Sequence, residues 1–166
     1  MRWYVHDENL DEFLEDVERY ELIVTYNGKT FDVPWLRDRL GAPMGQAHID
    51  LRYVLGSLGL RGGLKGCERQ VGIERGELEG VDGFFAVLLW RDYLASADRR
   101  ALETLLAYNI ADTVNLERLM VLAYNMKVRQ TPLARRCRLP APQTPALPFR
   151  AHGPTVRRLR RQMGRI

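Results

Sequence analysis

The chain has 166 residues, 46% hydrophobic and 28% charged, with a formal net charge of +4, the profile of an ordinary globular protein with one domain as the default and room for a sizeable core. No internal repeat is visible, which excludes solenoids, and Cys67 and Cys137 stand far apart with no CxxC and no nearby histidine, which argues against a zinc site or a disulfide scaffold and for two free thiols. The opening MRWYVHDENLDEFLEDVERY has neither the apolar run of a signal peptide nor that of a membrane span, so a cytoplasmic location without membrane contact is the expectation.

In chain order, Trp3–Val5 looks like a strand remnant, and Leu10, Phe13, Leu14 and Val17 then recur at helical spacing with acids between them. A strand follows at Glu21–Thr25. Asn27-Gly28 is a turn signal, and Val33 to Leu40 reads as a helix with Pro34 in its first turn and a stop at Gly41 and Pro43. The stretch AHIDL is a short strand, with Asp50 capping a helix over Leu51–Leu58. Glycines 59, 62 and 63 make a loop, and a short helix runs from Leu64 to Val71. After the turn-rich GIERGELEGVDG come a helix over Phe84–Leu94 and a long helix from about Asp98 to Tyr124. Alternating strands and helices indicate an α/β layer with a parallel or mixed sheet.

From Arg129 onward the composition changes: ten arginines, no acid and six of the eight prolines, leaving 15 Lys and Arg against 21 Asp and Glu in residues 1–128. A segment this rich in proline cannot hold regular structure over most of its length, so 129–166 is expected to be a basic, disordered tail. Its end, TVRRLRRQMGRI, can form a short basic helix on a partner. Such a tail is either a phosphate-contacting arm for nucleic acid, or simply solvated, or held in cis by the acidic body.

Two stretches hold candidate chemistry. In IVTYNGKTFDVPWL a strand and turn deliver Asp32 to a helix start, where the carboxylate serves either as an N-cap or as a site residue. In LLAYNIADTVNLERL, Tyr108 and Asp112 are four apart and share one helical face. Each is explicable structurally on its own, Tyr108 as a rim aromatic and Asp112 as a solvated acid.

Together, Asn-x-x-x-Phe-Asp after a strand and, further on, Tyr-x-x-x-Asp inside a helix resemble the second and third motifs of the DnaQ-like, or DEDD, 3′–5′ exonuclease superfamily, in its tyrosine-bearing branch. TYNGKTFDVPWLRDRL, HIDL, LKGCERQVGIER, VDGFFAVLLWRDYL and YNIADTVNL look like the YprB-type RNase H-like subgroup, over roughly Trp3 to Met126. The resemblance implies an RNase H-like fold over residues 1–128, with a mixed sheet flanked by helices, and phosphodiester hydrolysis at two Mg²⁺ or Mn²⁺ ions, hard cations that require carboxylate oxygens. Carried over, Asp112 would ligate the water-activating metal and Tyr108 would orient that water; Asp32 would hold the second ion, and Asn27 and Phe31 would contact the terminal nucleotide of a single-stranded or 3′-end substrate.

The family's first motif, Asp-x-Glu on the opening strand, has no counterpart. The one Asp-x-Glu, Asp16-Val17-Glu18, lies in a helical pattern in which positions two apart point to different sides. The resemblance therefore implies an N-terminally incomplete domain, its first two strands missing, with weak metal binding and no cleavage by the chain alone. It also implies open strand edges that invite self-association or a partner chain completing the sheet. The other reading is a catalytically silent relative that only binds nucleic acid or protein.

Overall fold

A computed structural model describes residues 1–163; Gly164, Ile166 and Arg165, one of the ten tail arginines, lie outside the described residues. The chain forms two compact units, one of Met1–Gly72 with Asn115–Pro142 and one of Ile73–Val114 with Gln143–Ile166. This division differs from the body-and-tail boundary expected after residue 128, because the long helix α6, Arg99–Val128, supplies residues to both units and the end of the chain belongs to the second.

The first unit is built on a βαβ crossover. Strand β1, Leu22–Thr25, leads through α2, Asp32–Leu40, to β2, Ala47–Asp50, and the strands pair in parallel with Leu22 opposite Ala47 and Thr25 opposite Asp50. Helix α1, Glu12–Val17, sends Phe13, Leu14 and Val17 onto Val33, Ala42 and Met44, with Ile23 and Leu36 closing the cluster. Gly41 ends α2 at φ 65°, its N–H reaching back to the Arg37 and Leu36 carbonyls, a left-handed stop open to glycine at no steric cost. Helices α3, Leu51–Gly56, and α4, Gly63–Gln70, follow; α4 buries Cys67, a free thiol, and Glu68, whose Oε1 accepts the Asn115 side-chain amide at 2.8 Å. Further on, Asn125 closes a ring with Leu139: its Nδ2 donates to the Leu139 carbonyl and its Oδ1 accepts the Leu139 N–H, both at 2.9 Å.

Two sequence expectations change here. The strand at Trp3–Val5 does not form. Asn9 takes the backbone groups a strand would have offered a neighbour: its Oδ1 accepts the Val5 N–H at 2.8 Å, its Nδ2 donates to the Trp3 carbonyl at 3.1 Å, and the Val5 carbonyl accepts from Glu8 and Asn9. Among the described residues the sheet therefore has two strands and is parallel, rather than mixed.

The second unit is helical. Asp82 caps α5, Gly83–Ser96, by accepting the Phe85 N–H at 2.9 Å, and α5 packs Phe85 and Leu89 against Ala101 and Tyr108 of α6. The tail is where the expectation of disorder departs most from the structure, since Gly153–Met163 forms helix α7 with Thr155, Val156 and Leu159 buried. Val156 and Leu159 join Leu78, Val81, Phe85 and Leu89 in one core, and the Arg158 guanidinium grips Asp92 through two bonds of 2.9 and 2.6 Å. The basic helix expected on a partner thus docks within its own unit, because its apolar residues at one-turn spacing make a stripe that arginines surround. Among the described residues no helix is long and apolar enough to cross a membrane.

Candidate functional site

The loop between β1 and α2 is shaped by one buried carboxylate. Asp50, 3% exposed, caps α3 through the Arg52 N–H at 3.0 Å, as its sequence position predicted, and also accepts the backbone N–H groups of Asn27 at 2.7 Å and Lys29 at 3.0 Å. Asn27 sits at φ 66°, a conformation asparagine tolerates better than most residues. A Cβ on Gly28 would fall 2.5 to 2.7 Å from Thr25 side-chain atoms, so only glycine fits this close approach. Thr25 is in turn fixed by His48 Nε2 at 2.8 Å.

This loop delivers Asp32 as the first residue of α2. The N-cap is Phe31, and it makes no side-chain capping bond; Asp32 is therefore not the N-cap that the local reading allowed. Its side chain is exposed, has no ion pair among the described residues, and bonds only its own backbone N–H. The protein behind it displaces enough water to raise its carboxyl pKa above the ordinary value, the backbone bond opposes this, and the Asp50 charge adds to the rise. Phe31 beside it is 72% exposed. The Asn27 side-chain oxygen is already engaged, by the Arg52 guanidinium and by the Thr30 hydroxyl at 3.0 Å.

Tyr108 and Asp112 belong to the second unit. Burial raises the Tyr108 hydroxyl pKa, followed by the Asp112 charge and the hydrogen bond the hydroxyl donates to that carboxylate, with Arg75 opposing. Arg75 is the residue sequence reasoning missed. Its side chain, 4% exposed, brings Nη1 to 2.5 Å from Asp112 Oδ1 as a close ion pair rather than an aligned hydrogen bond, and its guanidinium lies 6.0 Å from the Tyr108 ring centroid. No spacing signal links a turn arginine to a helical acid far along the chain.

The sequence-assigned residues thus fall into two groups, Asn27, Phe31 and Asp32 in the first unit and Tyr108 and Asp112 in the second. No group of three or more His, Cys, Asp or Glu side chains that could hold a metal occurs among the described residues. Asp32 is exposed and without an ion pair among the described residues, as a hard cation's ligand would be, but Asp112 is neutralised by a buried guanidinium, so this chain's side chains do not by themselves fit a two-metal centre. The helical Asp16 is excluded as a substitute ligand. It is buried, accepts the Tyr4 hydroxyl at 2.7 Å, Arg2 at 2.5 Å and Arg19 at 3.1 Å, and the Tyr4 and Arg2 bonds hold its carboxyl below its ordinary pKa.

A parallel βαβ crossover with a pinned loop presenting an acid at a helix start defines an α/β unit. The family model RNase_H_2, of the RNase H superfamily, matches residues 3–124, and the chain belongs to that superfamily. No curated protein and no solved structure gives a significant match.

Proposed function

We propose that this chain is a nucleic-acid-directed module of the 3′–5′ exonuclease type, in the tyrosine-bearing, YprB-like branch of the DnaQ-like enzymes, which carries part of a two-metal carboxylate set and does not cleave alone. The observation that carries this reading is Asp32: an acid without an ion pair among the described residues, held at the surface by a loop that Asp50 pins, beside an exposed aromatic able to stack on a terminal base. In this reading Asp32 and Asp112 are carboxylates for Mg²⁺ or Mn²⁺, Tyr108 orients water, and Asn27 and Phe31 meet the 3′ end of the substrate. The remaining acids come from an Asp-x-Glu strand in a further segment or a partner chain. The two-stranded sheet leaves room for it, since β1 and β2 pair only with each other among the described residues.

A second reading, a catalytically silent binding relative, is favoured by the Arg75–Asp112 ion pair, which occupies an oxygen a metal would need. One experiment separates them: Mn²⁺-dependent release of 3′-terminal nucleotides from labelled DNA and RNA, by the chain alone and with an Asp-x-Glu strand fused or added in trans. Background activity alone and Asp32-dependent cleavage when completed supports the first reading. Nucleic-acid binding with no cleavage in either form supports the second.

A further inference from the structure

Helix α7 sorts its arginines by partner. Thr155, Val156 and Leu159 are buried, Arg158 is spent on Asp92, and Arg160 donates to the Glu79 carbonyl oxygen. Arg157 and Arg161 are exposed, with no hydrogen-bond or ion-pair partner among the described residues, and with Pro154 and Gln162 they share one open face of α7. We propose that Arg157 and Arg161 form a phosphate clamp for the backbone of a single-stranded nucleic acid. The inference rests on the nucleic-acid reading above and extends it to a helix outside residues 3–124, the segment the family model matches.

Like charges four apart on a helix repel, and although the Glu77 carboxylate lies near Arg157 it makes no ion pair with either arginine among the described residues, so both guanidiniums remain open to an anion. Their guanidiniums stand one turn apart, about 6 Å along the axis, close enough to engage neighbouring phosphates of one strand, and guanidinium suits bidentate phosphate contacts. A membrane surface is a poor alternative, because a helix lying on lipid needs a free apolar face and α7 has buried its own in the core. No aromatic residue lies on α7, so the clamp reads the backbone and ignores base identity.

The test is fluorescence anisotropy of the full chain with labelled oligo(dT) in EDTA over a series of salt concentrations, so that metal-dependent chemistry at Asp32 or Asp112 plays no part. The Arg157→Gln/Arg161→Gln double variant should flatten the log affinity against log salt slope by about 1.4, two phosphate contacts on a single strand at about 0.7 each. Arg157→Lys/Arg161→Lys should keep most of the wild-type slope and shows that the glutamine effect is one of charge rather than folding. An unchanged slope in the glutamine variant overturns the clamp, and so does a wild-type chain that binds phosphatidylserine vesicles or polyglutamate but not the oligonucleotide. Absence of nuclease activity leaves this result standing, and loss of the clamp leaves the cleavage experiment standing.

Discussion

The Asp50 carboxylate accepts the backbone N–H of Asn27 at 2.7 Å, so the residue that caps one helix also sets the turn that presents the next acid, Asp32. Asp50→Ala removes a cap and leaves the Asn27 and Lys29 donors without their acceptor; it should cost about 3 kcal/mol of stability, read from the shift in urea midpoint. Asp50→Asn should be milder, since its amide oxygen still accepts some of these bonds.

Asp32→Asn should leave stability unchanged or slightly improved at neutral pH. The sign follows from the raised carboxyl pKa: the protonated form is relatively favoured in the folded state, so the fold gives up stability as pH rises from below the unfolded value, about 3.9, through the folded one. Solvent screening at this exposed side chain keeps the effect small. Thermal melts at pH 3.5 and pH 7 of wild type and variant check it, a variant less stable at both being the contrary result.

In a completed, cleaving form, Asp32→Asn and Asp112→Asn should each reduce 3′-end hydrolysis to background, and Tyr108→Phe should be milder, removing one hydrogen bond and no charge. Full activity in Asp112→Asn would show that this acid serves only its ion pair with Arg75.

Arg75→Gln strips a buried cation from Asp112 and should cost about 2 kcal/mol, moderated because Asp112 is 26% exposed. The double variant Arg75→Gln/Asp112→Asn should recover about 1 kcal/mol of that loss in a denaturation cycle. Additive losses would mean that the two side chains do not communicate. The Tyr108 hydroxyl should ionise above ordinary tyrosines in an ultraviolet titration, and Asp112→Asn should bring it down. Because the unfolded chain releases that proton near pH 10 and the folded chain keeps it, stability should begin to decline above about pH 10.

Leu159→Ala should destabilise the second unit by about 3 kcal/mol through the cavity it leaves among Val81, Phe85 and Leu89. A disordered tail would make the substitution silent, so the urea midpoint decides between the two.

The features legible in the sequence were those with local causes. The Asp50 cap, the Gly41 stop and the extents of α5 and α6 follow from one residue or a periodicity, and each falls within a few residues of its expected place. Asn9 defeated the strand at Trp3–Val5 because a side chain competed for backbone bonds, something a short apolar run does not reveal. The helix at the end of the chain was expected, but its docking within its own unit was hidden by its arginines, whose charge masks the spacing of Val156 and Leu159. Arg75 was hidden by distance along the chain, and with it the state of Asp112, the acid whose role is most changed by seeing its neighbour.

The Asn125 side chain imitates a peptide group, meeting both the N–H and the carbonyl of Leu139 as an adjacent strand would. The residues between, with arginines at 129, 135, 136 and 138, are thereby a hoop tied at both ends. Doubling a flexible loop costs only about 0.6 kcal/mol in closure entropy, so extra residues let into this hoop, between Thr131 and Arg138, would spread its cations farther into solvent while the anchorage at Asn125 held.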